Sequence, residues 1–159
     1  MNRIYLDDKL LQYYKEALIQ EIDNKSIDDD IEENLLKISN SQNIRPVFSK
    51  RGKDMLGRNL ASYLMIGFTS NVDKSLFNNI IPYFESNYNL TWKYECKCFE
   101  VPPYTNPKME ITDANKGSKW LTDSDYFNIS KIRFDLNGGT IELHNKFWMD
   151  LSDYLSKDD

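Results

Sequence analysis

The chain has few of the residues on which conventional catalytic and metal sites depend. Its 159 residues include one histidine, His144, and two cysteines, Cys96 and Cys98. A structural zinc site takes about four such ligands, and a Ser or Cys nucleophile needs a base held close to it. No nucleophile elbow, phosphate-binding loop or cluster of metal ligands occurs in the sequence. We therefore predict no catalytic residue, no metal and no cofactor.

Long apolar runs are also missing. The N-terminus reaches charged residues within a few positions, unlike the apolar core of a secretory signal. The longest nearly uncharged apolar run covers residues 60–68, whereas a membrane-spanning helix needs roughly 20 residues. The Cys-x-Cys spacing lies in an alternating, strand-like stretch and favours buried free thiols over a soft-metal pair. We expect a cytoplasmic protein that has no membrane partner.

Acidic charge is abundant and is concentrated at one end. The chain has 25 Asp and Glu against 20 Lys and Arg, a formal net charge of −5. Residues 1–40 hold ten acidic and five basic groups, whereas residues 41–58 hold one acidic and five basic. An apolar fraction of 40% excludes a disordered chain, and the length fits one domain. We predict a single domain over residues 1–159, with an acidic helical segment at 1–40 and a sheet-containing core at 60–159.

Apolar periodicity predicts the elements of this domain. Three- and four-residue steps predict two one-sided N-terminal helices, the second beginning at Ser26. Their apolar stripes are Leu11, Tyr14, Leu18 and Ile22 in the first helix and Ile27, Ile31, Leu35 and Ile38 in the second. The apolar run at residues 60–69 and the alternation at residues 90–101 predict strands, and residues 73–87 predict a helix that Pro82 kinks or delays.

The last third of the chain contains a loop, a turn and a final helix. Residues 102–117 predict a long loop, and Asn137-Gly138-Gly139 predicts the turn of a β-hairpin over residues 131–144. Asn145 would then cap the final helix. Together the patterns predict an α+β fold: a mainly antiparallel sheet with N-terminal helices and further helices packed on one face.

Two polar patterns allow alternative interpretations. The basic segment, Arg45, Lys50, Arg51, Lys53 and Arg58, would follow a nucleic-acid backbone, pair with the protein's own acidic helices, or simply keep a loop soluble. The acidic total favours the last two interpretations over the first. Arg133, Glu142 and His144 share one face of the predicted hairpin, as an acid–base site or as a solvated strand face. We favour the solvated face.

The acidic segment, which comprises Asp28, Asp29, Asp30, Glu32 and Glu33, is the predicted partner-binding site. Consecutive helical side chains point in different directions, so these carboxylates do not converge on one metal ion. They do suit a basic partner, because complementary fields speed encounter and fix orientation.

The general character of the chain resembles that of a known class of proteins. It is small, acidic and rich in Asn and Ile, it mixes helices with strands, and it has no catalytic signature. In these respects it resembles the bacterial immunity proteins that neutralise a cognate toxin, often a basic nuclease. The resemblance implies a cytoplasmic, non-enzymatic inhibitor whose partner is a toxin with a basic surface. It does not favour a nucleic-acid partner.

Overall fold

The computed structural model of the chain describes residues 3–51, 60–72, 74–88, 94–103 and 129–156. The helices are α1 (Asp8–Asp23), α2 (Glu32–Ser39), α3 (Lys74–Asn87) and α4 (Ile141–Ser156), and the strands are β1 (Ile44–Arg51), β2 (Ala61–Phe68), β3 (Tyr94–Val101) and β4 (Lys131–Gly138). A 3₁₀ turn, Asp29–Ile31, leads directly into α2.

The four strands form one antiparallel sheet in the order β1-β2-β4-β3. Within the described residues β2 and β4 are central, and β1 and β3 are the edges. The pairing of β1 with β2 shifts register between Pro46 and Phe48, which is a β-bulge at Val47. The predicted mainly antiparallel sheet is confirmed.

Helices α2, α3 and α4 supply most of the helical side chains of the main hydrophobic core, which lies on one face of the sheet. Leu35 of α2, Phe84 of α3 and Phe147 of α4 are fully buried and belong to the same cluster as Leu64 of β2 and Phe134 of β4. Burial of apolar side chains between helices and a sheet is the main stabilising contribution in such a layered domain. The predicted α+β fold is therefore confirmed.

A smaller cluster lies on the other face of the sheet. It consists of Leu6, Leu10, Tyr14, Val47 and Ile129. A Cβ atom at Gly67 would lie 3.2 Å from Leu6 and 3.3 Å from Ile129, so Gly67 faces the smaller cluster. The two neighbours of Gly67 in β2 belong to the main core. Successive strand residues point to opposite faces. Helix α1 therefore packs along the β1 edge and contributes to both faces, since its Leu18 belongs to the main core.

The sheet begins with strand β1 at Ile44, whereas the sequence predicts a first strand near residue 60. Pro46 and the bulge at Val47 interrupt the alternation that identifies a strand. Proline is compatible with β1 because an edge strand can lack one ladder hydrogen bond.

The predicted hairpin strand after Gly139 is wrong, because α4 begins at Ile141. Gly138 and Gly139 have φ angles of 86° and 87°, which end β4. The Thr140 hydroxyl accepts the Leu143 N–H at 3.1 Å, so Thr140 caps the helix in place of Asn145. Strand β4 pairs with β2 and β3 instead.

The start of α2 also differs from the prediction. The Ser26 N–H donates to the Glu21 carbonyl at the end of α1, so Ser26 does not begin the next helix. By contrast, α1, β2 and α3 lie where they were predicted, and Pro82 lies inside α3. Cys96 and Cys98 of β3 are buried free thiols, as expected. The predicted strand positions 90–93 and most of the predicted loop lie outside the described residues.

Candidate partner-binding surface

The core fixes the inner side of the acidic segment. Ile31 lies between the carboxylates of the segment and Leu35 follows them, and both side chains are almost fully buried. Asp29 and Asp30 lie in the 3₁₀ turn, and Glu32 and Glu33 form the first turn of α2. Negative side chains are favourable there because unpaired backbone N–H groups give a helix N-terminus partial positive charge.

Arg51, the last residue of β1, binds two of the five carboxylates of the acidic segment. Its guanidinium forms an ion pair with Asp30, and its backbone N–H donates to the Asp28 carboxylate at 2.9 Å. Arg51 is only 6% exposed, and a buried charge needs such a counter-charge. The interpretation in which the basic segment pairs with the protein's own acidic residues is therefore observed for Arg51.

The other three carboxylates point to the surface. Asp29 and Glu33 are exposed and Glu32 is half-buried. No hydrogen bond or ion pair joins these three side chains to another described residue. The structure therefore divides the acidic segment into two carboxylates that position it and three that remain accessible to solvent or to a partner.

A cavity of about 390 Å³ lies beside the acidic segment, between α2, the end of β1 and α4. We call it the α2–α4 groove. Its lining residues are Asp30, Ile31, Asn34, Arg51, Ile141, Asn145, Trp148 and Met149. Ile141 and Met149 are 58% and 59% exposed, so the groove combines large exposed apolar side chains with the carboxylate of Asp30. Apolar contacts rimmed by charge are characteristic of protein interfaces.

Two of the residues that line the α2–α4 groove carry buried donors. Trp148 Nε1 and Arg51 Nε are shielded from solvent and have no hydrogen-bond partner in the described part of the chain. An unpaired buried donor costs roughly 1–3 kcal/mol. An acceptor supplied by a bound molecule would offset part of this cost.

Polar contacts hold the two helices that border the groove. The Asn34 side-chain amide donates to the Trp148 carbonyl at 3.4 Å and to the Ser152 hydroxyl at 3.2 Å. Lys37 and Asp153 form an ion pair one turn further along. The groove is therefore built on two helices with fixed relative positions.

Neither the solvated strand face that we favoured for Arg133, Glu142 and His144 nor the alternative acid–base site is formed, because Glu142 and His144 lie in α4. His144 is fully buried in α4, with Nδ1 2.7 Å from Ser62 Oγ and Nε2 2.7 Å from the Gly138 carbonyl. A carbonyl only accepts, so Nε2 carries the proton and Nδ1 accepts from Ser62. Burial lowers the pKa of His144. Arg133 is bonded to Asp135 instead, at 2.8 Å.

The basic segment does not form a continuous cationic surface among the residues that the structure describes. Arg45 is buried and donates to the carbonyls of Leu11 and Ile44 at 3.0 and 2.8 Å. With Arg51 also buried, Lys50 is the exposed member. Lys53 and Arg58 lie outside the described residues. None of the described helices is long and apolar enough to cross a membrane.

The sequence predicts Asp30 as a binding residue but does not predict the groove residues of α4. Ile141, Asn145 and Met149 recur at four-residue steps, which would have placed them on one side of a helix. That pattern competes with the strand that the sequence predicts over residues 141–144.

Comparisons with protein-family models, with curated protein sequences and with solved structures found no significant match to this chain.

Proposed function

We propose that this protein is a stoichiometric inhibitor that binds and neutralises a cognate toxin with a basic surface, in the manner of bacterial immunity proteins. One observation carries the proposal. An acidic segment, fixed by Arg51, lies beside a groove flanked by exposed Ile141 and Met149. Charge at the rim and apolar side chains at the centre are the arrangement that a specific interface uses.

The two kinds of residue have different roles in this proposal. Asp29 and Glu33 attract and orient the basic partner, so they act mainly on the association rate. Ile141 and Met149 lose water on contact and act mainly on the dissociation rate.

The charge of the whole chain supports the choice of partner. A net charge of −5 disfavours binding to nucleic acid and favours binding to a protein that itself binds phosphates. A nuclease has such a basic surface because it must contact the phosphate backbone. An acidic protein bound over that surface would exclude the nucleic acid.

The proposal is tested by isolating a partner and measuring its inhibition. Tagged protein captures the partner from the native strain, and the two purified proteins are then titrated by calorimetry and in an assay of the partner's toxicity or nuclease activity. We expect a 1:1 complex and complete loss of activity at equivalence. A partner that stays fully active when saturated with the protein would overturn the proposal.

A further inference from the structure

A second cavity, of about 320 Å³, lies between the C-terminal half of α1, the turn that follows it and β1. We call it the α1–β1 pocket. Its volume is at the lower end of the range for ligand pockets, about 300–1,000 Å³, and suits one amino-acid side chain. Ser26 and Ile27 line the pocket and directly precede the acidic segment in the chain. The pocket therefore adjoins the proposed docking surface.

Glu21 gives this pocket its chemical character. Its Oε1 atom is shielded from solvent and has no hydrogen-bond partner among the described residues, although the residue as a whole is partly exposed. Burial raises the pKa of Glu21. A buried carboxylate without a donor is costly, so a charged donor that enters the pocket would be stabilised there.

The rest of the wall is mainly apolar and is shaped by the bulge in β1. Pro46, Val47 and Phe48 line the pocket, and the register shift with β2 falls on these residues. A bulge redirects the side chains of an edge strand, and bulges are frequent next to binding sites. Here the bulge places a proline and an aromatic ring in the same pocket as Glu21.

We propose that the α1–β1 pocket binds an arginine side chain of the partner protein, whose guanidinium pairs with Glu21 while its stem packs against Pro46 and Phe48. The inference rests on the proposed function for the source of that side chain, a basic protein. Arginine fits better than lysine because a guanidinium is flat, is more weakly hydrated than an ammonium group and packs against aromatic rings.

The first test uses a free compound and needs no partner. N-acetyl-arginine amide is titrated into the full chain while backbone amide resonances are followed by NMR. We expect a Kd on the order of 1 mM, which is reasonable for so small a ligand, with shifts at Ala17, Ile27 and Phe48. N-acetyl-citrulline amide has nearly the same shape without the charge. It should bind at least about tenfold more weakly, because a charge-assisted hydrogen bond is lost.

Variants then locate the binding site. Glu21→Gln should weaken binding of the arginine compound at least about fivefold, and Ala17→Leu should block it by filling the pocket while leaving Glu21 intact. Glu16→Gln changes an exposed carboxylate on the same helix and should leave the affinity unchanged. The inference is overturned if the arginine compound does not bind, if citrulline binds equally well, or if both pocket variants bind normally.

The partner provides a second measurement. Once it is purified, Glu21→Gln should increase its dissociation rate, and the arginine compound should compete with it. If wild type and Glu21→Gln inhibit the partner 1:1 with equal affinity, the proposed arginine binding is contradicted and the proposed function is supported. Binding of the free compound in a protein that inhibits no toxin would overturn the proposed function and the source of the arginine.

Discussion

Arg51 and Asp30 form an ion pair between the end of β1 and the turn that starts α2. Arg51 is nearly fully buried, whereas the side chain of Asp30 is 33% exposed. The pair therefore connects the sheet to the surface that carries the acidic segment.

Asp30→Asn should destabilise the protein, because the buried Arg51 guanidinium would lose its counter-charge. We expect the free energy of unfolding to fall by about 1–3 kcal/mol, measured by urea denaturation. Glu33→Gln, at an exposed carboxylate of the same segment, should stay within about 0.5 kcal/mol of wild type. If the two variants were equally stable, the ion pair would not position the acidic segment.

The turn between β4 and α4 depends on glycine. A Cβ atom at Gly139, whose φ is +87°, would lie 2.5 Å from a methyl group of Leu143. Gly139→Ala should lower the free energy of unfolding by about 1–2 kcal/mol, since an L-residue is strained in this conformation. Thermal unfolding followed by circular dichroism measures the loss. An unchanged midpoint would contradict the assignment of this turn.

His144 should act on stability rather than on chemistry. His144→Ala removes the hydrogen-bond partner of Ser62 and the donor to the Gly138 carbonyl, and it leaves a cavity. We expect a loss of about 2–4 kcal/mol in the free energy of unfolding. A variant as stable as wild type that had lost all biological activity would instead support the histidine-dependent catalysis that the buried position disfavours.

The lowered pKa of His144 also predicts a pH dependence. The folded state resists protonation of this residue, so the unfolded state binds more protons once the pH falls below the ordinary pKa of about 6.5. The contribution is fully present above that pH and is lost as the pH falls toward the lower folded-state pKa. In denaturant titrations, wild type should lose more stability than His144→Gln on going from pH 7 to mildly acidic buffer. Parallel curves would contradict the buried, neutral imidazole.

Apolar periodicity in the sequence was sufficient to predict the position of an element where one side of that element is buried throughout. Helix α1 and strand β2 have such patterns, and both lie where they were predicted. Strand β1 was missed because Pro46 and the bulge at Val47 interrupt its alternation. The start of α4 was assigned to a strand because a segment of four residues fits both a period of two and the first turn of a helix.

The candidate site could be predicted only in part, for a related physical reason. A cluster of acidic residues is visible in a sequence, and on that basis Asp29 and Glu33 are predicted as binding residues. The burial of Arg51 and the groove between α2 and α4 depend on tertiary packing, and no local pattern specifies them. Met149 is an apolar residue that the sequence alone would place in the core. In the structure the opposite side of α4 is buried, and Met149 is exposed.

Met149 provides a test of the apolar centre of the proposed interface. Its side chain is 59% exposed, so Met149→Ala should leave the free energy of unfolding within about 0.5 kcal/mol of wild type. Binding to the purified partner should weaken at least about fivefold, mainly through a faster dissociation rate. Ile19→Ala, at a 46% exposed position on α1, is the matched control. Equal dissociation rates for both variants would place the contact elsewhere.

Docking through the acidic segment is tested by the association rate with the purified partner at low salt. Stopped-flow measurements compare two double variants. The first combines Asp29→Lys with Glu33→Lys, and the second combines Asp8→Lys with Asp23→Lys, which makes the same change in net charge at the two ends of α1. We expect association of the first variant to be at least about tenfold slower and less dependent on salt, and the effect in the second variant to be much smaller. Equal rates for the two variants would contradict docking through the acidic segment.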